Sequence, residues 1–301
     1  MLDITLLGTG GMLPLKNRWL TSCIIICEGR SILIDCGEGT QIALKNTKCR
    51  MKPIDLICIT HFHADHLSGL PGFLLSMGNE GRTEPVTIAG PKGLEDIVRS
   101  LCVIAPNLPF EICFMEFCAL KEFQWAKLRI IPFRAEHSVE CLGYTFLLPR
   151  SGKFDPVLAR KNNVPVSLWS RLQKGETVTE GGRSYTPDMV MGKSRKGLKV
   201  TYCTDSRPTK NIADHAKDSD LFICEGLYYD PGKLARAKKT GHMLYSEAAE
   251  LARSAQVKRL WLTHYSPAVE FPEEGLSAAR EIFPDTECGF DGKNILLHFE
   301  N

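Results

Sequence analysis

The run His61-Phe62-His63-Ala64-Asp65-His66 sets three imidazoles and a carboxylate within six residues, and it holds three of the chain's eight histidines. It follows an apolar stretch, residues 54–60, that reads as a β-strand. In extended backbone, residues two apart face the same way, so His61 and His63 share a side. Asp65 and His66 come one turn later, where the chain bends out of the strand. One short segment can therefore offer ligands to two neighbouring metal ions. Imidazole nitrogen and carboxylate oxygen suit zinc where no thiolate is present. The competing reading is a polar loop that happens to be rich in histidine, and the concentration of histidines in one hexapeptide weighs against it.

The elements that must position these groups repeat one small pattern, in which an apolar strand ends and a ligand-type residue follows. Residues 54–60 lead to His61, 128–133 to His137, 198–203 to Asp205, 221–224 to Glu225 and 260–263 to His264. In α/β proteins, loops at strand ends converge on one crevice, so these distant residues are expected to share a site. Helical patterns lie between the strands, at 93–102, 211–217, 246–255 and 275–282. The third keeps Ala248, Ala249, Leu251, Ala252 and Ala255 on one apolar face. The fold class is α/β, with mixed sheets covered by helices.

The 301 residues, 44% apolar and 24% charged, are those of an ordinary globular protein, and the net charge of +2 names no partner. No apolar run approaches the roughly 20 residues of a membrane span. The N-terminus reads as a first strand rather than a signal peptide. Twelve cysteines show no Cys-x-x-Cys pair, and Cys23, Cys27, Cys58, Cys203 and Cys224 sit inside apolar strands. They are read as reduced thiols in a cytoplasmic protein. Gly8-Thr9-Gly10 after a strand is not a dinucleotide fingerprint, because Leu13 holds the place of the third glycine.

One stretch departs from the pattern. Residues 150–197 have few periodic runs, and they carry ten basic against four acidic side chains, a net charge of +6. An inserted basic arm on a near-neutral chain suggests a polyanion; a solvated surface arm is the alternative. Trp169 and Tyr185 could stack on bases or anchor the arm to itself. A second basic cluster, Lys233, Arg236, Lys238 and Lys239, either lines a substrate path or forms a solvated helix face.

The hexapeptide matches the H-x-H-x-D-H motif of the metallo-β-lactamase superfamily, and His137, Asp205 and His264 follow in that superfamily's order. Within it the chain resembles the ribonuclease Z family of tRNA 3′-trailer endonucleases, essentially end to end. The resemblance is carried by Gly8-Thr9-Gly10-Gly11, Pro14-Leu15-Lys16-Asn17-Arg18, Asp35-Cys36-Gly37-Glu38-Gly39-Thr40-Gln41, Leu67-Ser68-Gly69-Leu70-Pro71-Gly72, Asp205-Ser206-Arg207 and Leu262-Thr263-His264. Departures are Trp19 in the first loop, Val164-Pro165-Val166-Ser167-Leu168-Trp169 in the arm, Cys224 before Glu225, and Met243-Leu244 after His242. None replaces a ligand-type residue, so they bear on substrate more than on chemistry.

The resemblance implies an αββα sandwich spanning residues 1–301, with 150–197 as a substrate-binding arm. It implies two zinc ions per chain, one held by His61, His63 and His137, the other by Asp65, His66 and His264, with Asp205 bridging. Such a pair can clamp an in-line displacement at phosphorus. Asp65 also orients or deprotonates water, and His242, supported by Glu225, protonates the leaving oxygen; a helix-terminal surface histidine is the plainer reading of His242. Asp35 is either an outer partner of a metal-binding histidine or a buried strand-end carboxylate. His215 and His298 are read as without chemistry. The implied partners are precursor tRNA and a second copy of the chain, with no membrane. Alternatives are a small-substrate phosphodiesterase of the same fold, a lactam or thioester hydrolase, and a metal-stabilised RNA-binding protein without catalysis.

Overall fold

The computed structural model describes residues 1–300. In chain order the strands are β1 (Leu2–Gly8), β2 (Ser22–Cys27), β3 (Arg30–Ile34), β4 (Ile54–Cys58), β5 (Val86–Gly90), β6 (Ile112–Glu116), β7 (Phe123–Trp125) and β8 (Leu128–Ala135). They continue with β9 (Cys141–Arg150), β10 (Val178–Glu180), β11 (Arg183–Tyr185), β12 (Arg195–Cys203), β13 (Leu221–Glu225), β14 (Leu260–Thr263), β15 (Thr286–Cys288) and β16 (Asn294–Leu297). Two seven-stranded sheets result, ordered β16-β1-β2-β3-β4-β5-β6 and β15-β14-β13-β12-β9-β8-β7. Each is mixed. β3 to β6 pair in parallel, as do β12 to β15, while β1–β2, β2–β3, β7–β8 and β8–β9 are antiparallel.

The strands are apolar on both faces because both faces are covered. Ile32, Leu33 and Ile34 are all buried, as are Leu221, Phe222, Ile223 and Cys224. Continuous apolar runs of this kind belong to parallel strands inside a layered fold. On the outer face of the first sheet, Leu7, Ile24, Leu33, Ile57 and Ile88 pack with Leu44, Phe73, Leu74 and Val98 from helices Thr40–Lys45, Leu70–Asn79 and Leu94–Leu101. On that of the second, Phe222, Leu260 and Leu262 pack with Ala248, Ala249 and Ala252 from helix Tyr245–Ser254. Between the sheets, Tyr144 of β9 donates to the Ile59 carbonyl just past β4 (2.6 Å), and Leu142 N–H donates to Thr60 O (2.9 Å). The architecture is an αββα sandwich.

The expected helices sit within about one residue of their sequence patterns, at Leu94–Leu101, Lys210–Ala216, Tyr245–Ser254 and Leu276–Ile282. The arm is more ordered than its sequence suggests. Leu148–Leu198 and residues 299–300 form a separate compact unit. It contains helices Pro156–Lys161 and Val166–Gln173 and the β10–β11 hairpin. Asp155 opens the first helix by accepting from Val157 and Leu158 N–H at 2.9 and 3.0 Å. Ala159, Val164, Leu168, Leu172, Val178, Tyr185 and Val190 make its own small core. Trp169 donates to Val164 O (3.0 Å) and packs on Phe154, while Tyr185 is buried beneath Arg183. Both aromatics therefore anchor the unit to itself.

Candidate metal centre

The ligand-type residues meet at the carboxyl ends of the strands. His61 lies just beyond β4, His137 beyond β8, Asp205 beyond β12 and His264 beyond β14, and Glu225 ends β13. His63 precedes the single helical turn Ala64–Leu67, which carries Asp65 and His66. Turning the chain out of a strand at once, with a polar side chain aimed inward, demands unusual backbone. Asp35, Asp205 and His264 all adopt positive φ, at 56°, 43° and 59°. Each such residue costs on the order of 1 kcal/mol or more and persists only where its surroundings over-determine it. Gly11 allows the same packing, since a Cβ there would lie 2.6 Å from the His264 ring.

Two donor groups result. In one, His61 Nε2 is 3.0 Å from His63 Nδ1, His63 Nδ1 is 3.2 Å from His137 Nε2, and Asp205 Oδ2 lies 3.6 and 3.8 Å from His61 and His137 Nε2. In the other, His66 and His264 Nε2 are 3.2 Å apart, and Asp205 Oδ1 lies 3.2 and 3.1 Å from them. Asp65 Oδ2 completes that group, 3.3 Å from His264 Nε2 and 3.7 Å from His66 Nε2. The two oxygens of Asp205 thus face different histidine sets, which is the geometry of a bridging carboxylate.

The residues fit a cation. Donor atoms lie within 4.8 Å of one another among His61, His63, His137 and Asp205, among Asp65, His66 and His264, and among Asp205, His242 and His264. Asp205 Oδ1 is buried and makes no hydrogen bond. Burial opposes charge on Asp205 and Asp65, yet the surrounding histidines hold both carboxyls below the usual range, and burial holds His61 and His137 below the usual imidazole range. Ionised carboxylates and neutral imidazoles are the forms that bind metal. His66 loses proton affinity to burial but regains more from Asp205 and Asp35. That balance marks a place that favours positive charge.

The outer contacts orient the ligands. Asp35 Oδ2 lies 2.8 Å from His66 Nδ1, and Thr60 donates to both Asp35 oxygens, from N–H (2.8 Å) and hydroxyl (2.9 Å). Of the two readings of Asp35, the geometry is that of an outer partner. His137 Nδ1 faces the Gly241 carbonyl at 3.1 Å, where a Cβ on Gly241 would sit 2.8 Å from that nitrogen. Met12 N–H donates to Asp65 Oδ2 at 2.7 Å.

His242 is buried beside this cluster. Its Nδ1 lies 3.2 Å from Glu225 Oε2 and 4.0 Å from Asp205 Oδ2. Burial lowers its proton affinity, but the Glu225 carboxylate outweighs it and raises the imidazole pKa to about 9. Glu225 also accepts from Ser206 and Met243 N–H. Sequence reasoning left Arg207 and Glu247 without a role. Arg207 donates to the His242 carbonyl and pairs with Glu247, which in turn accepts from Leu244 N–H at 2.9 Å. No local signal ties residues forty apart in sequence. His215 is half-buried and stacked on Phe133 (4.4 Å), and His298 is exposed beyond the end of β16; neither reaches the cluster. Two of the departures, Cys224 and Met243, are buried and touch each other (3.8 Å). They adjust the core beneath His242 rather than meet substrate.

Two sheets flanked by helices, with histidines and aspartates gathered at the strand ends, define a metallo-β-lactamase fold. A beta-lactamase superfamily domain model matches residues 179–265, and a model described as anti-Pycsar protein Apyc1 matches residues 2–151. Human short-form tRNase Z superposes with a TM-score of 0.71 at 24% identity, covering 99% of this chain and all of that one. Ribonuclease Z of Lachnospira eligens is 54% identical over 302 residues, covering 100% of this chain and 99% of its own length. That of Lachnoclostridium phytofermentans is 54% identical with the same coverage. The chain belongs to the ribonuclease Z family of metal-dependent endoribonucleases. Among the described residues, no helix is long and apolar enough to cross a membrane.

Proposed function

We propose that this chain removes the 3′ trailer from precursor tRNA in the cytoplasm, by hydrolysis at a dinuclear zinc centre. The observation that carries the reading is the division of Asp205, one oxygen toward His61 and His137, the other toward His66 and His264. His61, His63 and His137 would hold one ion and Asp65, His66 and His264 the second, with Asp205 placed to serve both. When bound there, the ions would supply Lewis acidity toward the phosphoryl oxygens and a more acidic water. Asp65 is the group within the cluster that can orient the attacking water and take its proton. The bond from phosphorus to the 3′ oxygen breaks, the trailer leaves with the 5′ phosphate, and the His242 proton passes to the 3′ oxygen of the tRNA. Glu225 keeps that proton on His242 until transfer.

The arm, residues 150–197, supplies the grip. Its +6 charge and self-anchored fold suit recognition of shape and backbone rather than bases. A homodimer, with each arm serving its partner, completes the proposal. The test is cleavage of a 3′-extended precursor tRNA by zinc-loaded protein with both product ends mapped. The expected products are a tRNA ending in a 3′-hydroxyl and a 5′-phosphorylated trailer. No cleavage by protein that holds two metals and hydrolyses bis(p-nitrophenyl) phosphate overturns the tRNA reading in favour of small phosphodiesters.

A further inference from the structure

The helix Leu234–Thr240 leads directly into the site and carries three cations and no acidic side chain. It buries Ala237 and half-buries Leu234, leaving Lys233, Arg236, Lys238 and Lys239 exposed. Residues 231–246 contain these four cations and no acidic side chain. In two other helices a cation is paired along the same helix, Arg99 with Glu95 and Lys210 with Asp214. Among the described residues, none of the four forms an ion pair with a carboxylate. Concentrating like charge without compensation is unfavourable for the chain alone, which makes a polyanion the natural occupant.

The position of the helix says which part of a polyanion. It ends at Gly241, whose carbonyl faces His137, and the next residue is His242. At about 1.5 Å per residue the whole helix spans only about 10 Å. Its cations therefore begin within one turn of the group that meets the leaving oxygen. If hydrolysis leaves the 3′-hydroxyl on the tRNA, that leaving oxygen belongs to the nucleotide on the 5′ side of the cut. The side chain that protonates it, and the helix joined to it, lie against the mature RNA rather than the trailer.

We propose that the exposed cations of helix Leu234–Thr240 hold backbone phosphates of the mature RNA on the 5′ side of the scissile bond. The proposal rests on the precursor-tRNA reading above. It assigns the arm and this helix to separate stretches of the substrate.

The test uses the zinc-loaded full chain and the variant R236Q/K238Q/K239Q. Three quantities are measured: kcat/KM for precursor tRNA relative to bis(p-nitrophenyl) phosphate, the Kd of mature tRNA, and the Kd of a free trailer oligonucleotide. The expected result is a fall in the kcat/KM ratio through KM. Mature tRNA binds more weakly, with a salt dependence shallower by roughly 0.7–0.9 for each phosphate that the variant no longer neutralises. Trailer affinity is unchanged. Unchanged affinity for mature tRNA in a variant that still cleaves precursor overturns the helix proposal and leaves the tRNA reading standing. Equal weakening for trailer and mature tRNA overturns the assigned side. If the unsubstituted enzyme hydrolyses the small diester but not precursor, the tRNA reading itself fails, and this proposal with it.

Discussion

The metal-type cluster and the basic arm are built on opposite plans. The cluster joins residues as far apart as His61 and His264, each from a different strand end. It is almost wholly buried, and it is held by outer contacts such as Asp35 on His66 and Gly241 on His137. Three of its residues and outer partners sit in strained backbone. The arm closes on itself through local contacts, Trp169 on Val164 and Asp155 on Val157, and exposes its charge. Precision needs long-range over-determination; grip needs only charge on a stable scaffold. On the proposed function, the difference means that changes at the strand ends should alter chemistry, whereas changes on the arm should alter which substrate is held.

The sharpest way to break the comparison is at Asp205. Asp205→Ala removes the side chain whose two oxygens face the two histidine sets. It is expected to abolish cleavage of precursor tRNA and of bis(p-nitrophenyl) phosphate alike, with bound metal, read by elemental analysis, falling below two ions per chain. Retained activity on either substrate would mean that the carboxylate does not bridge.

His242→Ala separates chemistry from grip in another way. Loss of an acid is expected to slow precursor cleavage by about 10²–10⁴-fold in kcat. The small diester has a leaving group that needs no proton, so its rate should change far less. The pH dependence carries the same point. Glu225 raises the His242 pKa to about 9, so the protonated form persists up to that region and is lost as pH rises through it. Glu225→Gln removes the charge that raises it, and the alkaline fall in log kcat is expected at lower pH.

Asp35→Asn tests the outer layer. Partners of ligand histidines typically contribute about 10–100-fold in metal affinity, and a loss of that size is expected in chelator competition. Arg207 and Glu247 are expected to have the smallest effect of this set. Their double-mutant cycle, Arg207→Ala with Glu247→Ala, should show a coupling of about 0.5–3 kcal/mol in the barrier for precursor cleavage, because both act through the His242 segment. Strict additivity would detach the pair from His242.

Much of the cluster was legible because its residue types are rare and its spacing is local. Three histidines in one hexapeptide, and polar groups ending apolar runs, need no tertiary knowledge. The helix Tyr245–Ser254 was legible through its alanine-rich face. What was not legible depended on distance or on a small local core. The helices Pro156–Lys161 and Val166–Gln173 begin at the Asp155-Pro156 and Val164-Pro165 breaks, which read as turns, and they are stabilised by Leu168, Leu172 and Val190 closing on one another. Arg207 and Glu247 look like surface charges until folding sets them against the His242 carbonyl. Cys224 and Met243 looked like changes in a substrate-facing motif, and only burial shows them as one packing contact.

The most direct test of the division of labour is a variant that removes exposed arm charge without touching the cluster, R160Q/K161Q/K174Q/K193Q. Steady-state kinetics are measured for precursor tRNA over a range of salt, with bis(p-nitrophenyl) phosphate alongside. The expected result is a raised KM for precursor with a shallower salt dependence, an unchanged kcat, and a small-diester rate equal to that of the parent chain. A fall in small-diester hydrolysis, or a precursor KM that does not move, would contradict that division.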